Sequence, residues 1–347
     1  MDRNGIPLAF DLFPGNESEK VHMRPIINRI KQDFSNTRII FVADRGLNTS
    51  DNIYYLNGDN KCDVNQRDGY VYGQSVRGAD AEFRNWVLSS GYKKDTVKTE
   101  DGKEIFFIHK SRIYPKELHV NVTKPGKKTV KVDQKQMVYY SEKYAKKQKA
   151  DREVMIERAK DLIKHPKKYD RVTSAGSAAY ILNIAFDKST GEIVDGKNLE
   201  LNLTKIREEA KYDGYYSIVT SELNMSDFEM RDVYHGLSKI EETFKISKTE
   251  FSSRPIFVRT HEHIDAHFAT CFTSLVLIRL LQAKLGNRYP AGKIIESLKK
   301  YCCVPLDANN YKFTYFDEIL KTCGNAFNLE LDNRYRTRQQ IQRILKY

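Results

Sequence analysis

Asp44, Tyr234, Glu241 and Lys248 have the residue types and spacing to handle a phosphate through a bound cation. Asp44 closes the stretch Ile39-Ile-Phe-Val-Ala, five apolar residues bounded by turn formers. Such a stretch predicts a strand buried on both faces of a parallel or mixed sheet. An acid at the carboxyl end of such a strand stands where open α/β sheets hold ligands. The same acid could serve only to cap a loop. Downstream, Ser226-Asp-Phe-Glu229 has capping-box spacing and predicts a helix from Asp227. At 3.6 residues per turn, positions 234, 237, 241 and 248 would share one stripe if the helix runs that far. There a carboxylate can hold a cation, while a phenol and an ammonium hold a phosphate. An ordinary solvated face with i,i+4 pairs such as Glu241–Lys245 fits the same pattern.

The spacing Tyr234-x2-Leu237-x3-Glu241-x6-Lys248 resembles the Tyr-x2-Arg-x3-Glu-x6-Lys signature of DDE insertion-sequence transposases. Other segments resemble that family in order along the chain. Gly5-Ile-Pro…Gly15-Asn16 is similar to the segment before the second Asp, and Asp44-Arg45-Gly46 to the second Asp itself. Tyr212-Asp-Gly-Tyr-Tyr-Ser-Ile-Val-Thr220 is similar to the strand before the Glu helix. Arg254-Pro-Ile-Phe-Val and Ile264-Asp-Ala-His-Phe268 are similar to the segment after it. Leu237 departs from the signature's Arg, which removes a phosphate contact from the set.

The resemblance implies an α/β, ribonuclease H-like catalytic domain interrupted by a mostly β insertion. It implies metal-dependent cleavage and strand transfer of transposon ends, with Asp44 and Glu241 as catalytic carboxylates and metal ligands. Tyr234, Lys245, Lys248 and Arg45 would contact DNA phosphates. Three carboxylates in such a site hold two Mg²⁺ or Mn²⁺ ions about 3.5–4 Å apart. The first Asp of the family lies on a first strand, which the resemblance places upstream of Met1. The chain is then expected to be truncated and inactive alone. Asp2 and Asp11 are poor substitutes, one in a turn and one on a strand's polar face. The implied partners are double-stranded DNA, as terminal repeats and target, and further copies of the chain on that DNA. A non-catalytic DNA-binding inhibitor descended from a transposase, or a nuclease of the same fold, are the alternatives.

Composition points toward a polyanion on its own terms. The chain has 347 residues, 40% apolar content and a formal charge of +12. That excess is not needed to fold and suits a polyanionic partner. The basic residues cluster in Lys124–Lys135, Lys143–Lys149 and Lys164–Arg171. Each alone reads equally as a solvated face. Five cysteines without a Cys-x-x-Cys, and no apolar leader, suit a cytoplasmic, nucleoid-associated protein. The stretch Phe268–Leu281 is interrupted by Thr, Ser and Arg and reads as a buried helix rather than a membrane span. His261-Glu-His-Ile-Asp-Ala-His267 has metal-ligand types without the His-Glu-x-x-His pattern, and reads as a structural junction.

The elements that must position these residues follow from periodicity. Residues 6–13 alternate as a strand, and a helix is expected by Pro25 with Ile26, Ile27, Ile30 and Phe34 inward. The 39–43 strand and a helix over 50–56 complete half of an α/β layer domain. Residues 61–125 look β-rich, with a hairpin turn at Asp101-Gly102, and 135–164 read as a long charged helix. Asp213-Gly214 reads as a turn or an outer-shell acid. The expected division is 1–60 and 206–290 as the two parts of the catalytic domain, 61–205 as the insertion, and 291–347 as a helical C-terminal region. Helices are expected there at 292–301, 315–323 and 335–346.

Overall fold

The structure is a computed structural model that describes residues 5–14, 16–17, 19–34, 38–44, 46, 48–57, 67–98, 104–121, 127–165, 176–183, 199–251, 253, 255–307 and 309–345. Its architecture is mixed α/β. The chain divides into two compact units, one of residues 18–234 and one of residues 1–17 with 235–347. This division differs from the boundaries expected at 60, 205 and 290.

The 18–234 unit contains, in chain order, α1 (Glu19–Asp33), β1 (Ile40–Ala43), α2 (Ser50–Asn57), β2 (Gly69–Gln74), α3 (Ala81–Leu88), β3 (Lys93–Lys98), β4 (Glu104–Asn121), β5 (Lys127–Tyr140), α4 (Glu142–Lys164), a 3₁₀ turn (Gly176–Tyr180), β6 (Ile181–Leu182), β7 (Glu200–Leu201), α5 (Leu203–Ala210), β8 (Tyr215–Thr220) and α6 (Asp227–His235). Six strands form one sheet in the order β1-β2-β8-β5-β4-β3. Only β1 and β2 are parallel; every other neighbouring pair is antiparallel. The β-rich region therefore extends the sheet that holds the Asp44 strand. The Asp101-Gly102 turn lies outside the described residues, but β3 and β4 flank it as a hairpin pair, Lys98 opposite Glu104.

Strand alternation sends neighbouring residues to opposite faces. Tyr70, Tyr72, Leu118, Val132 and Val219 pack with Met23 and Ile27 of α1 and with Ile53 and Leu56 of α2. Val71, Phe107, Met137 and Ile218 pack on the other face with Met230 of α6. Covering both faces makes β2 almost wholly buried. Each fully buried aliphatic side chain contributes about 1.5–3 kcal/mol. On the α3 side, Lys110 Nζ donates to the carbonyls of Trp86 (2.5 Å), Ser89 (2.8 Å) and Ser90 (3.3 Å), closing the helix end. The Arg112 guanidinium lies 4.5 Å from the Trp86 ring centre and 4.4 Å from that of Tyr114.

Several local expectations are corrected. β1 is an edge strand, with Ile40 exposed, rather than a strand buried on both faces. Residues 6–14 join no ladder, and Leu8, Phe10, Leu12 and Phe13 are exposed. Alternation alone made that segment look like a strand, but strand structure requires a neighbour to pair with. The first helix begins at Glu19, so Pro25 lies inside it, and Phe34 is exposed while Ile27 is fully buried. Residues 135–140 are strand: Met137, Val138 and Tyr139 are buried between sheet neighbours, and the helix starts only at Glu142. Helix α3 was not foreseen.

The other unit contains α7 (Leu237–Thr249), α8 (His261–Lys284), α9 (Ala291–Lys300), β9 (Cys303–Pro305), β10 (Asn310–Phe313), α10 (Glu318–Phe327), β11 (Tyr335–Thr337) and α11 (Arg338–Leu345). Ile246, Leu275, Ile278, Leu285, Ile294 and Cys323 form its core. The three short strands pair as β11-β10-β9, so this region is not purely helical. Helix α8 is long and apolar enough, by length and composition, to cross a membrane. Within its unit Cys271, Leu275, Ile278 and Gln282 are buried while Leu277 and Leu280 are exposed, so one face is covered rather than the whole helix.

Candidate functional site

Asp44 follows the last residue of β1. The parallel register Ala43↔Tyr72 sets the next position, Asp44, beside Gly73 on β2. Tyr234 of α6 stands over Gly73: a Cβ built there would strike its hydroxyl and lie 3.0 Å from Cζ. Tyr234 and the position that follows β1 thus both lie at the carboxyl end of the parallel strand pair, the end at which open sheets bind ligands. Asp44 itself is exposed and its Oδ1 accepts a hydrogen bond from the Gly46 amide at 2.8 Å. That bond is the loop-capping role, and it leaves the second oxygen available in solution.

The capping box forms as read from the sequence. Ser226 N–H donates to Glu229 Oε2 at 2.8 Å, and Glu229 N–H donates to Ser226 Oγ at 3.2 Å. The helix it starts ends at His235, and a second begins at Leu237 beyond Gly236. Tyr234 therefore belongs to the 18–234 unit, while Glu241, Lys245 and Lys248, all exposed on α7, belong to the other. Glu241 and Lys248 share α7, while Tyr234 lies on α6. Arg45 and Arg254 lie outside the described residues.

The remaining candidates resolve structurally. Asp213 accepts from Arg77 at 2.5 Å and from both terminal nitrogens of Arg152 at 2.5 and 2.6 Å. Two guanidiniums saturate it, and Gly214 takes the turn with φ +86°. His267 lies on α8 with Nε2 3.4 Å from the Ser253 carbonyl and 3.9 Å from Cys271 Sγ, a packed junction. Asp11 accepts from the Leu12 amide. Among the described residues no three His, Cys, Asp or Glu side chains gather to hold a metal. Asp44 belongs to the 18–234 unit and Glu241 to the other.

One buried cluster escaped the sequence. His109 of β4 is 5% exposed, with Nδ1 2.6 Å from Asp227 and Nε2 2.8 Å from Asp95. Its ring stacks on Phe107 at 4.3 Å. Lys135 reaches Asp227 at 2.9 Å and donates to the Met225 carbonyl at 2.6 Å. Burial raises the Asp227 pKa, but hydrogen bonds from Lys135, His109 and Ser111 outweigh it and hold the carboxyl below the ordinary Asp value. The cluster fixes the first turn of α6, and hence Tyr234, to the sheet. A histidine directly after the apolar run Ile105–Ile108 was the available signal.

No protein-family model, curated protein or solved structure matches this chain.

Proposed function

We propose that this chain is a DDE-type insertion-sequence transposase chain, ribonuclease H-like in its catalytic region, whose partner is double-stranded DNA. The observation that carries the reading is that Asp44 follows β1 while Tyr234 stands over Gly73 of β2, both at the carboxyl end of the β1–β2 pair. They come from widely separated segments, and the resemblance covers both, Tyr234 through the signature and Asp44 through Asp44-Arg45-Gly46. The +12 charge suits DNA as the polyanion. Mg²⁺ or Mn²⁺ held by Asp44, Glu241 and a third acid would supply Lewis-acid chemistry at the phosphodiester. The chain would work as a homo-oligomer on paired ends.

A second reading is a DNA-binding protein of the same descent without cleavage activity. It is favoured by the lack of a three-ligand cluster among the described residues. Incubating the chain with supercoiled plasmid and Mg²⁺ or Mn²⁺ separates the two. Nicking that disappears in both Asp44→Asn and Glu241→Gln supports the catalytic reading. Duplex binding without nicking, unchanged in both variants, supports the second. Joining of cut ends to target DNA distinguishes a transposase from a nuclease. No duplex binding at all overturns both.

A further inference from the structure

We propose that the amino-terminal half of α4 is a contact for the phosphate backbone of duplex DNA; this rests on the DNA reading above and gives it a surface. Of the three basic runs, the first is partly engaged internally, because Lys135 is paired with Asp227. Residues 122–126 of that run, and 166–175 covering most of the third, lie outside the described residues. The middle run forms the first two turns of α4, where Lys143, Lys146, Lys147 and Lys149 are all exposed. Glu142 is the one acid among them, and it pairs with Lys146 at 2.7 Å. Among the described residues no ion pair involves Lys143, Lys147 or Lys149.

The fold gains nothing from this placement. The start of a helix carries the positive end of its dipole, which favours acids and disfavours lysines. The opposite face of α4 is fixed to its unit. Tyr144 packs on Tyr216 with ring centres 4.1 Å apart, Gln148 Oε1 accepts from the Gly214 amide at 2.8 Å, and Arg152 clasps Asp213. The lysines are therefore presented on a mounted helix. From 143 to 149 the helix rises about 9 Å, a length over which a duplex carries about five phosphates.

The same details select duplex DNA over other polyanions. A helix that lies in a bilayer surface must have an apolar face free to bury, and here that face is already packed. Single-strand binding needs aromatic rings free to stack on bases, and Tyr144, the aromatic residue within the run, is engaged with Tyr216.

The test is fluorescence anisotropy of the full chain with a labelled duplex of arbitrary sequence over a salt series. The variant is Lys143→Gln/Lys147→Gln/Lys149→Gln, and the control removes equal charge from exposed positions with Lys293→Gln/Lys299→Gln/Lys321→Gln. Emission of Trp86 checks that each variant is folded. The slope of log K against log salt is expected to fall by about 0.9 per α4 lysine that contacts a phosphate, and the control is expected to keep the original slope. An unchanged slope in the α4 variant, or an equal drop in the control, overturns the proposal while leaving the DNA reading standing. Dependence on these lysines for phosphatidylglycerol vesicles or a single-stranded oligonucleotide, but not for duplex, also overturns it. Absence of duplex binding by the unsubstituted chain instead removes the DNA reading itself.

Discussion

The hydroxyl of Tyr234 occupies the space directly above Cα of Gly73, so that strand position has room for hydrogen and for nothing larger. The contact seats the end of α6 on β2, one register step from Asp44. Gly73→Ala forces either the phenol or the strand to move, and overpacking of this kind costs about 1–3 kcal/mol. Urea denaturation followed through Trp86 should register that loss. Tyr234→Phe removes the nearest atom, so the double variant should recover part of it; strict additivity would mean that the two residues do not meet.

Asp213 is read here as an anchor, not a metal-associated acid. Its carboxylate is 14% exposed and holds Arg152, itself 9% exposed, together with Arg77. The pairing with Asp213 also raises the Arg152 pKa. Asp213→Ala would leave a largely buried guanidinium without its partner, a loss of about 3–5 kcal/mol. The melting temperature should drop sharply. Duplex affinity per folded molecule should stay unchanged; a selective loss of affinity at full stability would assign Asp213 to the site instead.

These anchors explain which parts of the fold could be read from the sequence. The Ser226–Glu229 capping box, the 215–220 strand and the 50–57 helix depend on local pattern, and all three form. Residues 6–13 and 135–140 misled for one reason: pairing partners decide strand structure, and no local pattern reports them. Lys135 looked like part of a solvated run because its charge was visible and its partner Asp227, on another element, was not. The positions of Asp44, just after β1, and of Tyr234, on α6, could be read from local pattern. Glu241 and Lys248 share the helix α7, which Gly236 separates from the α6 that carries Tyr234.

The His109 cluster makes an acid-range prediction. The folded-state pKa of Asp227 is depressed, so the unfolded chain binds its proton first as pH falls. The stabilisation it brings is complete above the unfolded value of about 3.9 and is lost as pH drops through the lower folded value. Asp227→Asn should lower stability near neutrality and flatten the acid limb of the stability profile. Unfolding curves recorded from about pH 6 down to pH 2 provide the check; an acid limb identical to that of the unsubstituted chain would show that other carboxylates control it.

Lys110 gives the most direct test of how α3 is held. Its ammonium is buried, and that desolvation, with the nearby Arg112 charge, lowers its pKa. It stays in place because its ammonium donates to the Trp86, Ser89 and Ser90 carbonyls at the end of α3. Lys110→Met retains the aliphatic bulk and removes every one of those bonds. A hydrogen bond from a charged donor contributes about 1.5–3 kcal/mol, and the end of α3 should fray. Trp86, whose ring centre lies 5.1 Å from the Lys110 ammonium, is the sole tryptophan and reports the change directly. Its emission should shift to the red and its accessibility to acrylamide should rise, while the opposite face of the sheet around Met137 and Ile218 keeps its amide protection. If Trp86 remained as shielded as before, the helix end would be held by the Arg112 stack alone.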